Sequence, residues 1–317
     1  MNGQPIRVGL VGATPGVGWG PRAHIPAYRA LPEIELAALT TVAGNHPLEL
    51  TTLNARRICT LAGITAPIAA GCSAPLLRPL VTAPEIHGTS GLEGHEWGEP
   101  TVGVVPDHAV DVIVDLVMAS PGEITLVPVG PLTNIAMAVR REPRLAERVR
   151  EVVVMGGAYT RGNVTPAAEF NIFVDPEAAA IVFEAGWLLT MIGLEVTQMA
   201  GATREVFSRI TALRNPVSDA VIGMLGFLRD QVMREHGFDA PHIHDACAVA
   251  CVARPELVTY KEARVDVEVT GRFTSGMTVT DFRPGAAFNS NVGTSLDVPG
   301  FWDLFIGALK AVTAKPA

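Results

Sequence analysis

The sequence predicts an α/β fold with a mainly parallel central sheet flanked by helices. Short apolar runs recur and lead into helix-like stretches, as with IRVGLVG at 6–12, EITLVPV at 123–129 and VVVM at 152–155. The opening segment reads strand, turn, helix, strand, which is a βαβ unit. The run from Val152 to Ala180 leaves a strand through Gly156-Gly157, crosses a polar loop and enters a helix at Asp175-Pro176-Glu177. Ligands of open α/β sheets sit at such carboxyl edges. A chain of 317 residues, 48% hydrophobic and 18% charged, has ample core for such a fold.

Taken in order, residues 6–12 are a buried strand, 13–20 a glycine-rich loop, 21–31 a helix disturbed by Pro26, and 33–43 a second strand. Leu48, Leu50, Leu53, Ile58 and Leu61 recur near helical period over 48–63. ITAPIAAGC is a strand with a glycine exit, and 76–100 a long polar loop of the kind that carries function or moves. Helix 108–118 precedes the central strand 123–129, and Gly130 to Asn134 turns into helix 134–141. Asp175 is an N-cap, Pro176 takes the first helical position, and the helix runs on to 185. Strand 188–194, mostly helical residues 203–236 and helix 242–255 follow, with Asp245 at or near the amino end of that last helix. Strand-like segments at 264–270 and 277–281 precede a closing helix at 302–313. With no repeat, low-complexity linker or internal boundary, residues 1–317 read as a single domain.

The loop after VVVM holds Asn163, Glu169 and Asn171. Asn offers a donor and an acceptor and Glu accepts two hydrogen bonds, a set that suits the neighbouring hydroxyls of a sugar and equally suits turns and caps. VMGG, GN, EFN and DPEAA, in this order and spacing, resemble the nucleoside hydrolase family, the inosine-uridine preferring nucleoside N-ribohydrolases. The resemblance runs from about Pro32 to the carboxyl terminus and implies that family's parallel α/β fold, with hydrolysis of ribonucleosides to ribose and free base. It assigns Asn163, Glu169 and Asn171 to ribose hydroxyls and Met155 to the sugar pocket. TVAGNH puts Asn45 near the ribose, and HGTSGLEG puts His87 beside the base. GPLTN makes the Val129 carbonyl a calcium ligand. HIHDACAVA makes Asp245 a second calcium ligand and His244 the proton donor to the leaving base.

The resemblance fails at the amino terminus. The family opens on a DxDPGxDD motif whose aspartates bind calcium and activate water. Aligned through Pro15-Gly16, the corresponding positions are Gly12, Thr14, Gly18 and Trp19, none acidic. Residues 5–40 resemble instead the start of Gfo/Idh/MocA oxidoreductases, so 1–40 is an atypical first βα unit. Three readings follow: a nucleoside hydrolase with a weakened calcium site, a nucleoside- or ribose-binding homologue with little catalysis, and an NAD(P)-dependent oxidoreductase.

The net charge of −8 comes with no basic stripe, which argues against nucleic acid as a partner. No apolar run reaches membrane-spanning length, and no signal peptide is read, so the expected compartment is the cytoplasm. Cys59, Cys72, Cys247 and Cys251 show no CxxC spacing and are expected as buried free thiols. The family resemblance implies a homodimer or homotetramer.

Overall fold

The computed structural model describes residues 6–11, 34–236 and 240–312. The turn and helix expected at 13–31, with Gly12, Thr14, Gly18 and Trp19, lie outside the described residues.

Among the described residues the strands are β1 (Ile6–Val11), β2 (Ile34–Thr41), β3 (Ile68–Ala70), β4 (Ile124–Pro128), β5 (Glu151–Met155), β6 (Leu189–Ile192), β7 (Val258–Val267), β8 (Thr278–Asp281) and β9 (Ser290–Leu296). They form one sheet in the order β3-β2-β1-β4-β5-β6-β9-β7-β8. Pairing is parallel from β3 across to β9, and β7 then runs antiparallel to both β9 and β8. The helices are α1 (Leu48–Ala62), α2 (Pro84–His87), α3 (Ala109–Ala119), α4 (Thr133–Arg141), α5 (Leu145–Arg148), α6 (Phe170–Val174), α7 (Pro176–Phe183), α8 (Leu194–Thr197), α9 (Arg204–Thr211), α10 (Pro216–His236), α11 (Asp245–Ala253) and α12 (Val298–Val312). None is long and apolar enough to cross a membrane.

Helices cover both faces of the sheet, so its central strands are apolar without a break. Every residue of β4 and β6 is buried. Alternation assigns the β5 side chains: Val153 and Met155 join the core with α1, α10, α11 and α12, while Val152 and Val154 join the core with α3, α4 and α7. On α12, Phe301, Trp302, Phe305 and Leu309 are buried along one stripe.

Strand order places the site. From β1 the chain builds outward through β2 and β3, and from β4 it builds the other way through β5 and β6. The order therefore reverses between β1 and β4, and the crevice outside the carboxyl ends there is where doubly wound sheets take ligands. One cap holds that edge together. Asp175 is fully buried; its Oδ2 accepts from Thr133 Oγ1 at 2.6 Å and Leu76 N–H at 3.0 Å, and its Oδ1 accepts from Ala178 N–H at 3.1 Å. Asp175→Ala removes the cap and leaves buried donors unpaired, so urea unfolding should show a loss of about 2–4 kcal/mol.

Several expectations change in the folded chain. Asn171 sits inside the short helix α6 rather than in loop, because Glu169 caps that helix. The strand expected over 188–194 ends at Ile192, and Leu194 to Thr197 form a turn of helix, α8. SNVGTSL at 290–296 is strand β9, which periodicity did not mark, and α12 starts at Val298 rather than 302. All four cysteines are free, but only three are buried; Cys72 is half-exposed.

Candidate active site

The predicted residues collect at the carboxyl edge of the sheet. Asn45 lies in the turn after β2, Val129 just beyond β4, Met155 at the end of β5, and Asn163, Glu169 and Asn171 in the crossover from β5 to α7. His244 and Asp245 arrive from another part of the chain, at the amino end of α11, which packs on β5 and α8. Residues 241–243 dock beside the end of α8, with Ala202 N–H donating to the Pro241 carbonyl at 2.9 Å and Ile243 N–H to the Ala200 carbonyl at 3.0 Å.

Glu169 organises the loop after β5. Its Oε2 accepts from Gly157 N–H at 3.0 Å and Ile172 N–H at 3.2 Å, and its Oε1 accepts from Asn171 N–H at 3.0 Å. Gly157 reaches this position with φ +80°, and a Cβ there would press on Met191 Sδ and Thr278. Gly162 allows a close approach as well, since a Cβ would collide with the backbone of Ala168. Burial pushes the Glu169 carboxyl up to about 7 against the pull of its three N–H donors. Asn171 Nδ2 donates to the Met155 carbonyl at 3.0 Å, which fixes the amide and leaves Oδ1 as an acceptor. Asn163 Oδ1 accepts from Phe170 N–H at 3.0 Å. The turn-and-cap role of these residues is therefore real, and it presets the loop. Asn45 is buried, and its Oδ1 has no hydrogen-bond partner among the described residues.

A cavity of about 850 Å³ is lined by His87, Asn163 and His244, together with His242, Phe170 and Gln198. Three of the predicted residues thus share one wall, contributed by three separate connections. Asn45, Val129, Met155, Glu169, Asn171 and Asp245 are not on that lining and lie buried. His244 Nδ1 and Thr197 Oγ1 are 2.7 Å apart. Burial, helped by neighbouring His242, pushes the His244 pKa down to about 3, so the ring is neutral at pH 7. The His242 and His244 rings meet edge to face with centroids 6.2 Å apart.

The match across the chain decides the family. Residues 23–303 fit the family described as inosine-uridine preferring nucleoside hydrolase. The inosine-uridine preferring nucleoside hydrolase of Leishmania major is 46% identical over 287 residues, covering 89% of this chain and 91% of the relative. This chain belongs to that family. The pyrimidine-specific ribonucleoside hydrolase RihB of Escherichia coli is 39% identical, covering 86% of this chain and 88% of its own length. Among solved structures, the plant nucleoside hydrolase PpNRh1 superposes with TM-score 0.90 at 28% identity, covering 98% of this chain and all of the plant chain. The purine-preferring ribonucleoside hydrolase from Gardnerella vaginalis gives TM-score 0.88 at 29% identity, over 97% of this chain and 99% of its own.

Membership in the nucleoside hydrolases displaces the oxidoreductase reading of the chain's function, with the family match beginning at residue 23. It also brings the expectation of calcium, on which the family generally depends. Calcium takes six to eight oxygen ligands, with carboxylates setting the affinity. Among the described residues no group of three or more His, Cys, Asp or Glu could hold a metal ion. Asp245 supplies one buried carboxylate and Val129 one backbone carbonyl, and residues 1–32 contain no Asp or Glu. This donor set does not fit a calcium centre. The structure adds residues that sequence reading passed over. His242 was visible as a histidine two positions before His244 and Phe170 as the middle residue of EFN, whereas Gln198 carries no signal short of the fold.

Proposed function

We propose that this chain hydrolyses the N-glycosidic bond of ribonucleosides to ribose and free base. The observation that carries this reading is the single cavity on which Asn163, from the sugar-side loop, shares a lining with His87 and His244. In this reading Asn163, Glu169 and Asn171 hold ribose hydroxyls, Met155 backs the sugar, and Asn45 accepts from a further hydroxyl through its unpartnered Oδ1. His87 and His244 serve the base. As the bond from C1′ to the base nitrogen breaks, its electron pair moves to the base and the ribose gains oxocarbenium character. Water adds to C1′, and a proton from that water ends on the base. Neutral His244 meets the charge growing on the base by donating a hydrogen bond, which stabilises the transition state more than the ground state.

A second reading, nucleoside binding without turnover, is favoured by one observation: Gly12, Thr14, Gly18 and Trp19 stand where the family places its aspartates. Incubation with inosine and uridine, with and without added calcium, separates the two when free ribose is measured. Ribose release supports hydrolysis; tight calorimetric binding with no release supports the second reading. The triple change Thr14→Asp, Gly18→Asp, Trp19→Asp should raise calcium affinity by at least about tenfold in titration calorimetry, because ligand charge tunes calcium sites. Unchanged calcium binding would show that these positions are not equivalent to the family motif. A homodimer or homotetramer, as is common in the family, is the assembly we assign, with sedimentation equilibrium as its check. Four free thiols suit the reducing cytoplasm.

A further inference from the structure

Helix α8 is a single turn, yet both halves of the cavity wall are tied to it. On its sugar side, Leu194 N–H donates to the Gly157 carbonyl at 3.0 Å. Glu195 Oε1 accepts from Tyr159 N–H at 2.8 Å, Thr160 N–H at 2.7 Å and Thr160 Oγ1 at 2.7 Å. These are the first residues of the loop that goes on to Asn163 and Glu169. On its base side, Thr197 is fully buried and its Oγ1 lies 2.7 Å from His244 Nδ1.

The direction of that last bond follows from satisfaction of buried groups. The Thr197 hydroxyl has no other hydrogen-bond partner among the described residues. If Nδ1 donated, the hydroxyl proton would be buried without an acceptor, which is costly. If the hydroxyl donates, Nδ1 accepts and the neutral ring must carry its proton on Nε2. We infer that Glu195 and Thr197 are positioning residues of one brace, Thr197 fixing the His244 tautomer that presents Nε2–H to the leaving base and Glu195 anchoring the sugar-side loop. This rests on the assignment of His244 to the base.

The test compares two substrates. Inosine needs help at its leaving base, whereas 4-nitrophenyl β-D-riboside releases a phenolate that leaves without a donor. Thr197→Val should lower kcat on inosine about tenfold or more with KM within about threefold, and should fall far less on the nitrophenyl riboside. Thr197→Ser, which keeps the hydroxyl, should restore most of the loss. Glu195→Ala should instead raise KM for both substrates with kcat largely kept, and Glu195→Gln, which retains Oε1, should restore it. Nitrogen-15 NMR of the histidine rings in the unsubstituted protein should find His244 protonated on Nε2, a readout that does not depend on any variant folding. Equal loss on both substrates in Thr197→Val, or a ring protonated on Nδ1, overturns the inference while leaving His244 assigned to the base. Unchanged inosine hydrolysis in His244→Ala overturns that assignment and the inference with it.

Discussion

His244→Ala should lower kcat on inosine by roughly a hundredfold to a thousandfold, the usual loss when one preorganised donor to developing charge is removed. The ring is half-buried, is held through Nδ1 by Thr197, and lines the cavity with His87 and Asn163. KM should change little, because the hydrogen bond strengthens only as charge gathers on the base. Steady-state kinetics on inosine and on the nitrophenyl riboside are the measurement. A variant that loses both activities equally would move His244 from leaving-group assistance to general support of the fold. Since burial pushes the ring down to about 3, no kinetic limb between pH 5 and 8 should belong to it.

The second large effect is expected at Glu169. Glu169→Ala deletes the cap of α6 and strands the buried N–H groups of Gly157, Asn171 and Ile172. Chemical unfolding should register a loss of about 2–4 kcal/mol, with KM for inosine raised by at least about tenfold. Glu169→Gln isolates the charge. The folded carboxyl titrates at about 7, above its ordinary value of 4.5, so the folded state holds a proton that the unfolded chain has lost. Stability referred to this group is therefore fully present below about pH 4.5 and declines as pH rises through 7, by roughly 3 kcal/mol in all. The Gln variant should lack that decline. Inosine affinity should move the opposite way, rising with pH through about 7 as the ionised carboxylate gains strength as an acceptor of ribose hydroxyls, and the Gln variant should flatten that profile too. A wild-type profile already flat between pH 6 and 8 would remove Glu169 from sugar binding.

Where local pattern and tertiary environment agreed, the sequence was enough. Apolar runs at 123–129 and 152–155 announced strands, and the Asp175-Pro176 start of α7 was read to the residue because a cap is a local hydrogen bond. The order of VMGG, GN, EFN and DPEAA was sufficient to name the family before any contact was known. β9 was lost because SNVGTSL has little apolar periodicity; what makes it a strand is the slot between β6 and β7.

By itself the chain determined an α/β sheet, a sugar-like loop after β5, a helix led by His244 and Asp245, and an amino-terminal segment without acidic residues. Folding decided which nitrogen of His244 meets Thr197, how far burial moves Glu169 and His244 in opposite directions, and that Glu195 and Thr197 reach two separate segments from one turn of helix. Those properties depend on distance and desolvation between residues remote in sequence, such as the 2.7 Å contact between Thr197 and His244. No local pattern encodes such a contact.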